Sequence, residues 1–166
     1  DELNRQRFVY PLQVVGVPQA EAIAKDFATD FFQVIPTKSE VIPHAHEVLA
    51  ELATRYNLYI LSNGFHELQR HKMRSAGLDI YFKDVILSDD IGILKPDARL
   101  FHHALKVANA TIADSLMIGD SWESDVVGAS SVGMHQVYFS PKADASSLPF
   151  TPTYFITDLR QLLEVL

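Results

Sequence analysis

Ala20, Ile23, Ala24, Phe27, Ala28 and Phe31 recur at three- and four-residue spacing, which predicts an amphipathic helix over 19–33. An earlier helix is expected over 3–15, with Pro11 either kinking it or marking its first turn. Pro36 and Pro43 bracket a break. Pro43 suits the first turn of a helix over 43–55, whose apolar face is Ala45, Val48, Leu49, Leu52 and Ala53.

Beyond that point the pattern alternates. Strand 57–62 is followed by helix 65–76, which Gly77 can terminate. Strand 84–88 precedes helix 97–108, with Leu100, Phe101, Ala104, Leu105 and Ala108 on one face. Strand 115–119 leads to helix 123–131. Strand 136–140 leads through a Pro- and Ser-containing loop to strand 154–157, and a short helix covers 158–165. The strands are continuous rather than alternating apolar runs, as in a parallel sheet covered on both faces. The expected class is α/β: a Rossmann-like, three-layer α/β/α unit with a mostly parallel sheet, preceded by helices. The helix-only stretch 1–35 looks like a different module from the α/β core at 36–166.

Composition narrows the functions open to it. Hydrophobic residues make up 48% of the 166 positions, enough for a sizeable core. A net charge of −7 without a basic stripe makes a poor nucleic-acid binder. No apolar run approaches the ~18 residues of a membrane span, and nothing resembles a signal peptide. The absence of Cys excludes disulfides, zinc thiolates and thiol catalysis, and fits a cytoplasmic protein. The chain opens at Asp1 in mid-pattern and reads as a piece of something longer.

Candidate chemistry sits where strands end. Leu58-Tyr59-Ile60-Leu61 runs into Ser62-Asn63-Gly64, Val85-Ile86-Leu87 into Ser88-Asp89-Asp90 with Lys95-Pro96-Asp97 beyond, and Leu116-Met117-Ile118-Gly119 into Asp120. Open α/β sheets bind ligands at this carboxyl edge. A hydroxyl, a lysine and an acid pair at successive strand ends suit a phosphate beside a divalent cation. Asp120 is the natural Mg²⁺ ligand, since that ion takes hard oxygen donors and keeps several waters. Asp125, one turn on, points differently and is assigned a supporting role, orienting water or Lys95. A cap for the helix that follows would explain both acids equally well. Ser62 with Gly64 could be a plain turn, and Lys95 an exposed lysine before a helix. Their order along the chain is more specific than any one of them.

Ser62-Asn63-Gly64, Lys95-Pro96-Asp97 and Gly119-Asp120-Ser121-x-x-x-Asp125 resemble the second, third and fourth motifs of the haloacid dehalogenase (HAD) superfamily. The likeness runs from about 43 to 140, and is greatest to the phosphatase branch with a small helical cap, the bacterial pyrimidine 5′-nucleotidases in particular. Segments such as Gly64-Phe65-His66-Glu67-Leu68-Gln69 and Ala76-Gly77-Leu78 fit as well. The resemblance implies that residues 1–35 are the rear of the cap. It implies that Ser62, with Asn63 and Gly64 beside it, binds the transferring phosphoryl group. Lys95 would hold the phosphate and the nucleophile's carboxylate, Asp120 would bind Mg²⁺ and Asp125 would support the site. The implied substrate is a small phosphorylated metabolite.

The family's first motif, Asp-x-Asp-x-Thr/Val, supplies the nucleophile, and no Asp-x-Asp occurs here. In the family its strand precedes the cap and lies mid-sheet, between the strands expected at 57–62 and 115–119. The expectation is therefore a HAD-like core lacking its first strand, inactive alone, whose partner is the N-terminal segment that carries the nucleophile. A missing central strand leaves backbone groups unpaired. The strand could be separate, the gap could be filled by another segment or molecule, or the sheet could close over it. Two readings compete with a phosphatase: a metal-free dehalogenase on the same fold, and a non-catalytic phospho-acceptor module. Acids before the lysine mark the acceptor modules, whereas here Lys95 precedes Asp120.

His44-x-His46 and His102-His103 invite a zinc reading, but neighbouring helical residues point apart. Phe31-Phe32 and Tyr10 could line a substrate pocket, though packing is the commoner role of such residues. Trp122 is expected to pack at the rim of the site. Asp89-Asp90 reads as a turn pair, with a water-mediated metal role left open.

Overall fold

The structure is a computed structural model that describes residues 8–64, 66–142 and 144–166. Helices α1 (Tyr10–Val14) and α2 (Ala20–Val34) form a hairpin around an aromatic cluster. Phe8 is buried there, with ring centroids 5.4–6.3 Å from Phe27, Phe31 and Phe32. Packing is thus the role of Phe31 and Phe32, while Tyr10 is exposed. Pro11 lies in the first turn of α1, where its missing N–H costs nothing. Residues 3–7 of the predicted first helix lie outside the described residues, as does Phe65. A 3₁₀ turn, Ile35–Thr37, carries the chain from the hairpin and packs against α4 (His66–Ser75).

The α/β part follows the predicted order: α3 (Ala45–Arg55), β1 (Tyr59–Ser62), α4, β2 (Asp84–Leu87), α5 (Ala98–Ala108), β3 (Leu116–Gly119), α6 (Gly128–Ser131), β4 (His135–Phe139), β5 (Tyr154–Ile156) and α7 (Leu162–Val165). Gly77 ends α4 at φ +63°, with the Leu78 N–H returning to the Met73 carbonyl. Asp97 caps α5 by accepting from the Arg99 N–H. All strand pairs are parallel.

Helices cover both sheet faces. Val48 and Leu52 of α3 and Leu162 of α7 pack on Val137, Phe139 and Ile156. On the opposite face Phe101 of α5 packs with Ala129 of α6 and Met134. Successive strand residues alternate between these layers: Leu116 joins the first and Met117 the second. Each large side chain so buried contributes roughly 1.5–3 kcal/mol. Among the described residues no helix is long and apolar enough to cross a membrane.

The sheet, however, is in two pieces, β1-β2 and β3-β4-β5. The expectation that every strand is buried on both faces is corrected for three of them. Leu87 and Val137 in β2 and β4 are fully buried, whereas β1 is only half-buried throughout and Ile118 of β3 and Tyr154 of β5 are 36% and 38% exposed. Among the described residues only β4 has a strand neighbour on both sides. The sheet does not close over the break.

Candidate active site

β1 ends at Ser62, where the chain turns through Asn63 and Gly64 into α4. The Ser62 hydroxyl accepts from the Gly64 N–H at 3.2 Å and from Gln69 Nε2 at 3.0 Å. Asn63 faces the lysine loop instead. Its Oδ1 accepts from the Lys95 N–H at 2.7 Å, and its Nδ2 donates to the Lys95 carbonyl at 3.0 Å. Both ends of the amide are engaged by that backbone, so the Asn63 side chain fixes the position of Lys95. The Lys95–Pro96 peptide is cis.

Lys95 joins the two pieces of the sheet. Its Nζ donates to the Leu61 carbonyl of β1 at 2.6 Å and to Asp125 Oδ1 at 2.6 Å. An ammonium carries three donors, so one remains beyond those two among the described residues. The other Asp125 oxygen accepts from the Ser121 N–H at 3.0 Å. The carboxylate reaches that N–H by crossing Gly119, where a Cβ would overlap the Cβ, Cγ and Oδ2 of Asp125.

Trp122–Val127 is a π-helix, with both the Asp125 and Val126 N–H groups directed at the Ser121 carbonyl. An α-helix is the expectation from the sequence. The wider turn accommodates Asp125, which folds back over Gly119, and such turns recur at functional sites. Ser121 is the N-cap, accepting from the Ser124 N–H at 3.2 Å. Neither acid therefore caps this helix. Asp125 is buried against Lys95, while Asp120 is exposed and accepts no hydrogen bond among the described residues.

That contrast bears on Mg²⁺. A carboxylate without a protein partner, at the carboxyl end of a strand, is the donor for a cation that keeps most of its water. No three His, Asp or Glu side chains converge on a metal position among the described residues. Asp120 alone fits the ion, and Asp125 is held by Lys95 and Ser121.

Other candidates resolve into structure. His44 pairs with Glu47 and His46 with the Tyr81 hydroxyl. Trp122 packs edge-on to Tyr138 and against Phe150. Asp90 accepts from the Leu87 N–H at 2.8 Å and pairs with His66 at 2.5 Å, tying β2 to the start of α4. Burial pushes the Asp90 carboxyl up, but the Leu87 N–H and the His66 ring outweigh it and hold it below the usual carboxylate range. Gln69, in the segment beyond the second motif, and Gly119, within the fourth, carry no task in the sequence alone. The signal for Gly119 was its place directly before an acid, and for Gln69 its place seven residues after Ser62, in the first turn of α4.

A family model for haloacid dehalogenase-like hydrolases matches residues 4–133. The phosphoserine phosphatase of Thermus thermophilus is 34% identical over 89% of this chain and 58% of its own. The pyrimidine 5′-nucleotidase YjjG of Escherichia coli is 29% identical over 75% of this chain and 56% of its own. The chain thus spans little more than half the length of these two enzymes. Among solved structures, the HAD-hydrolase YfnB of Bacillus subtilis, bound to magnesium, superposes with a TM-score of 0.87 at 26% identity, covering 99% of this chain and 71% of that one. With the second, third and fourth motifs gathered around Lys95 on a sheet of this kind, the chain belongs to the haloacid dehalogenase-like hydrolases.

Proposed function

We propose that this chain is the phosphate- and cation-holding part of a Mg²⁺-dependent phosphatase acting through an aspartyl-phosphate intermediate. The substrate is a small phosphate ester, with nucleoside monophosphates among the candidates. The observation that carries the reading is the buried Lys95 ammonium, fastened by Leu61 and Asp125 with a third N–H remaining, one residue from the Ser62 hydroxyl's strand position. Fixed donors of this kind stabilise charge that develops on a transferring phosphoryl group. In this reading the Ser62 hydroxyl and the Asn63 backbone N–H donate to phosphoryl oxygens, and Lys95 neutralises them. Asp125 keeps the lysine in place. Asp120 would hold Mg²⁺, which supplies charge neutralisation on the phosphate when bound.

The nucleophile lies outside residues 1–166 in this proposal, on a strand that pairs with β1 and β3. The break in the sheet and the absence of any Asp-x-Asp support it. The helical hairpin α1–α2 serves as the rear of a cap over the site, and the protein works in the cytoplasm.

The test is turnover of p-nitrophenyl phosphate and a panel of nucleoside monophosphates by the full-length protein, with Mg²⁺ and with EDTA. Mg²⁺-dependent release of phosphate is expected, with Lys95→Ala losing about 3–4 kcal/mol of transition-state stabilisation. Cation-independent release of halide from 2-haloacids, with no phosphatase activity, would replace this reading by a dehalogenase. Residues 1–166 by themselves should release no phosphate.

A further inference from the structure

A serine hydroxyl offers two lone pairs and one proton. In Ser62 both lone pairs are occupied, one by the Gly64 N–H at 3.2 Å and the other by Gln69 Nε2 at 3.0 Å. The proton finds no acceptor among the described residues, and the two incoming donors repel it from their own directions. The hydroxyl can therefore only donate, and only away from the turn and α4.

Gln69 reaches Ser62 because residue 64 has no side chain. A Cβ at Gly64 would overlap Nε2, Cγ and Cδ of Gln69. Fixing a glutamine side chain costs rotamer entropy, and Gln69 makes no other side-chain hydrogen bond among the described residues. With its amide reversed, Oε1 would take the serine proton, and the hydroxyl would have nothing to give an anion.

We infer that Gln69 is a positioning residue, which holds the Ser62 hydroxyl as an obligate donor to an oxygen of the bound phosphate. Gly64 is the clearance that lets it do so. The inference rests on the phosphatase reading above, and it adds a residue outside the motifs together with the direction of a proton.

The experiment is a double-mutant cycle in the full-length protein with Ser62→Ala, Gln69→Met and the pair. Two quantities are measured: calorimetric affinity for inorganic phosphate in the presence of Mg²⁺, and kcat/KM for p-nitrophenyl phosphate. Each single change should weaken both by about tenfold, the size of one hydrogen bond to a charged group. In the Ser62→Ala background Gln69→Met should change neither by more than about twofold, because its object is gone. Gln69→Glu, whose carboxylate can only accept, should lose as much as Ser62→Ala, and Gly64→Ala should reproduce Gln69→Met. A Gln69→Met loss of equal size with or without Ser62 would overturn the inference while leaving the phosphatase reading intact. A parent protein that neither binds phosphate nor hydrolyses the ester would overturn both.

Discussion

Lys95 Nζ lies 2.6 Å from Asp125 Oδ1, and their side chains are only 8% and 7% exposed. The two residues belong to different halves of a divided sheet, so this ion pair is also a tie between β1-β2 and β3-β4-β5. Removing one partner of a buried pair strands the other's charge, at about 3–5 kcal/mol. Asp125→Leu should destabilise by that amount in urea unfolding, whereas Lys95→Met with Asp125→Leu should recover much of it. A cost below about 1 kcal/mol for Asp125→Leu would mean that water reaches the pair.

Gly119 owes its identity to the same carboxylate. Alanine there would overlap the Asp125 side chain near its root, where rotation about χ angles gives little relief. Gly119→Ala should cost about 1–3 kcal/mol of stability, as other overpacked positions do. In the full-length protein it should lower kcat/KM nearly as far as Lys95→Ala, because the lysine loses its anchor. Unchanged kinetics would separate the position of Asp125 from the work of Lys95.

Asp120 should behave in the opposite way. It is exposed and unpartnered among the described residues, so Asp120→Asn should alter the unfolding free energy by no more than about 0.5 kcal/mol. The same variant should abolish the response of thermal stability and of turnover to Mg²⁺. A variant that keeps its Mg²⁺ response would remove Asp120 as the ligand.

The cap of α5 has a measurable titration. Arg99 bonds the Asp97 carboxylate, aided by its own backbone N–H, and holds it at about 2 against an ordinary 3.8. A depressed carboxyl stabilises the folded chain above its unfolded value and loses that contribution as pH falls through its folded value. The helix cap should therefore hold at neutral pH and weaken between about pH 4 and 2. Carboxyl chemical shifts should show the midpoint near 2 and its rise towards the ordinary value in Arg99→Ala. An unchanged midpoint in that variant would discount the guanidinium.

Much of this molecule is legible from residue order alone. Periodicity located nearly every element to within two residues, because helical and strand spacings are local properties set by which side chains must leave water. The three motifs, too, were visible as polar residues at the ends of apolar runs. Their division of labour was not. Asp120 and Asp125 look alike in sequence, and only packing decides that one is exposed and the other buried beneath Lys95. The Asn63 amide faces the lysine backbone across the fold, and Asp125 is drawn to Lys95, which leaves the cap of the π-helix to Ser121.

Sequence by itself determined the class, the order of elements and the set of chemical groups, since each depends on neighbours along the chain. The tertiary structure decided where the sheet divides and what spans it. It also decided that Gly64 and Gly119 act as clearances for Gln69 and Asp125, because hydrogen bonds and steric overlap depend on distances that no pattern of spacing contains.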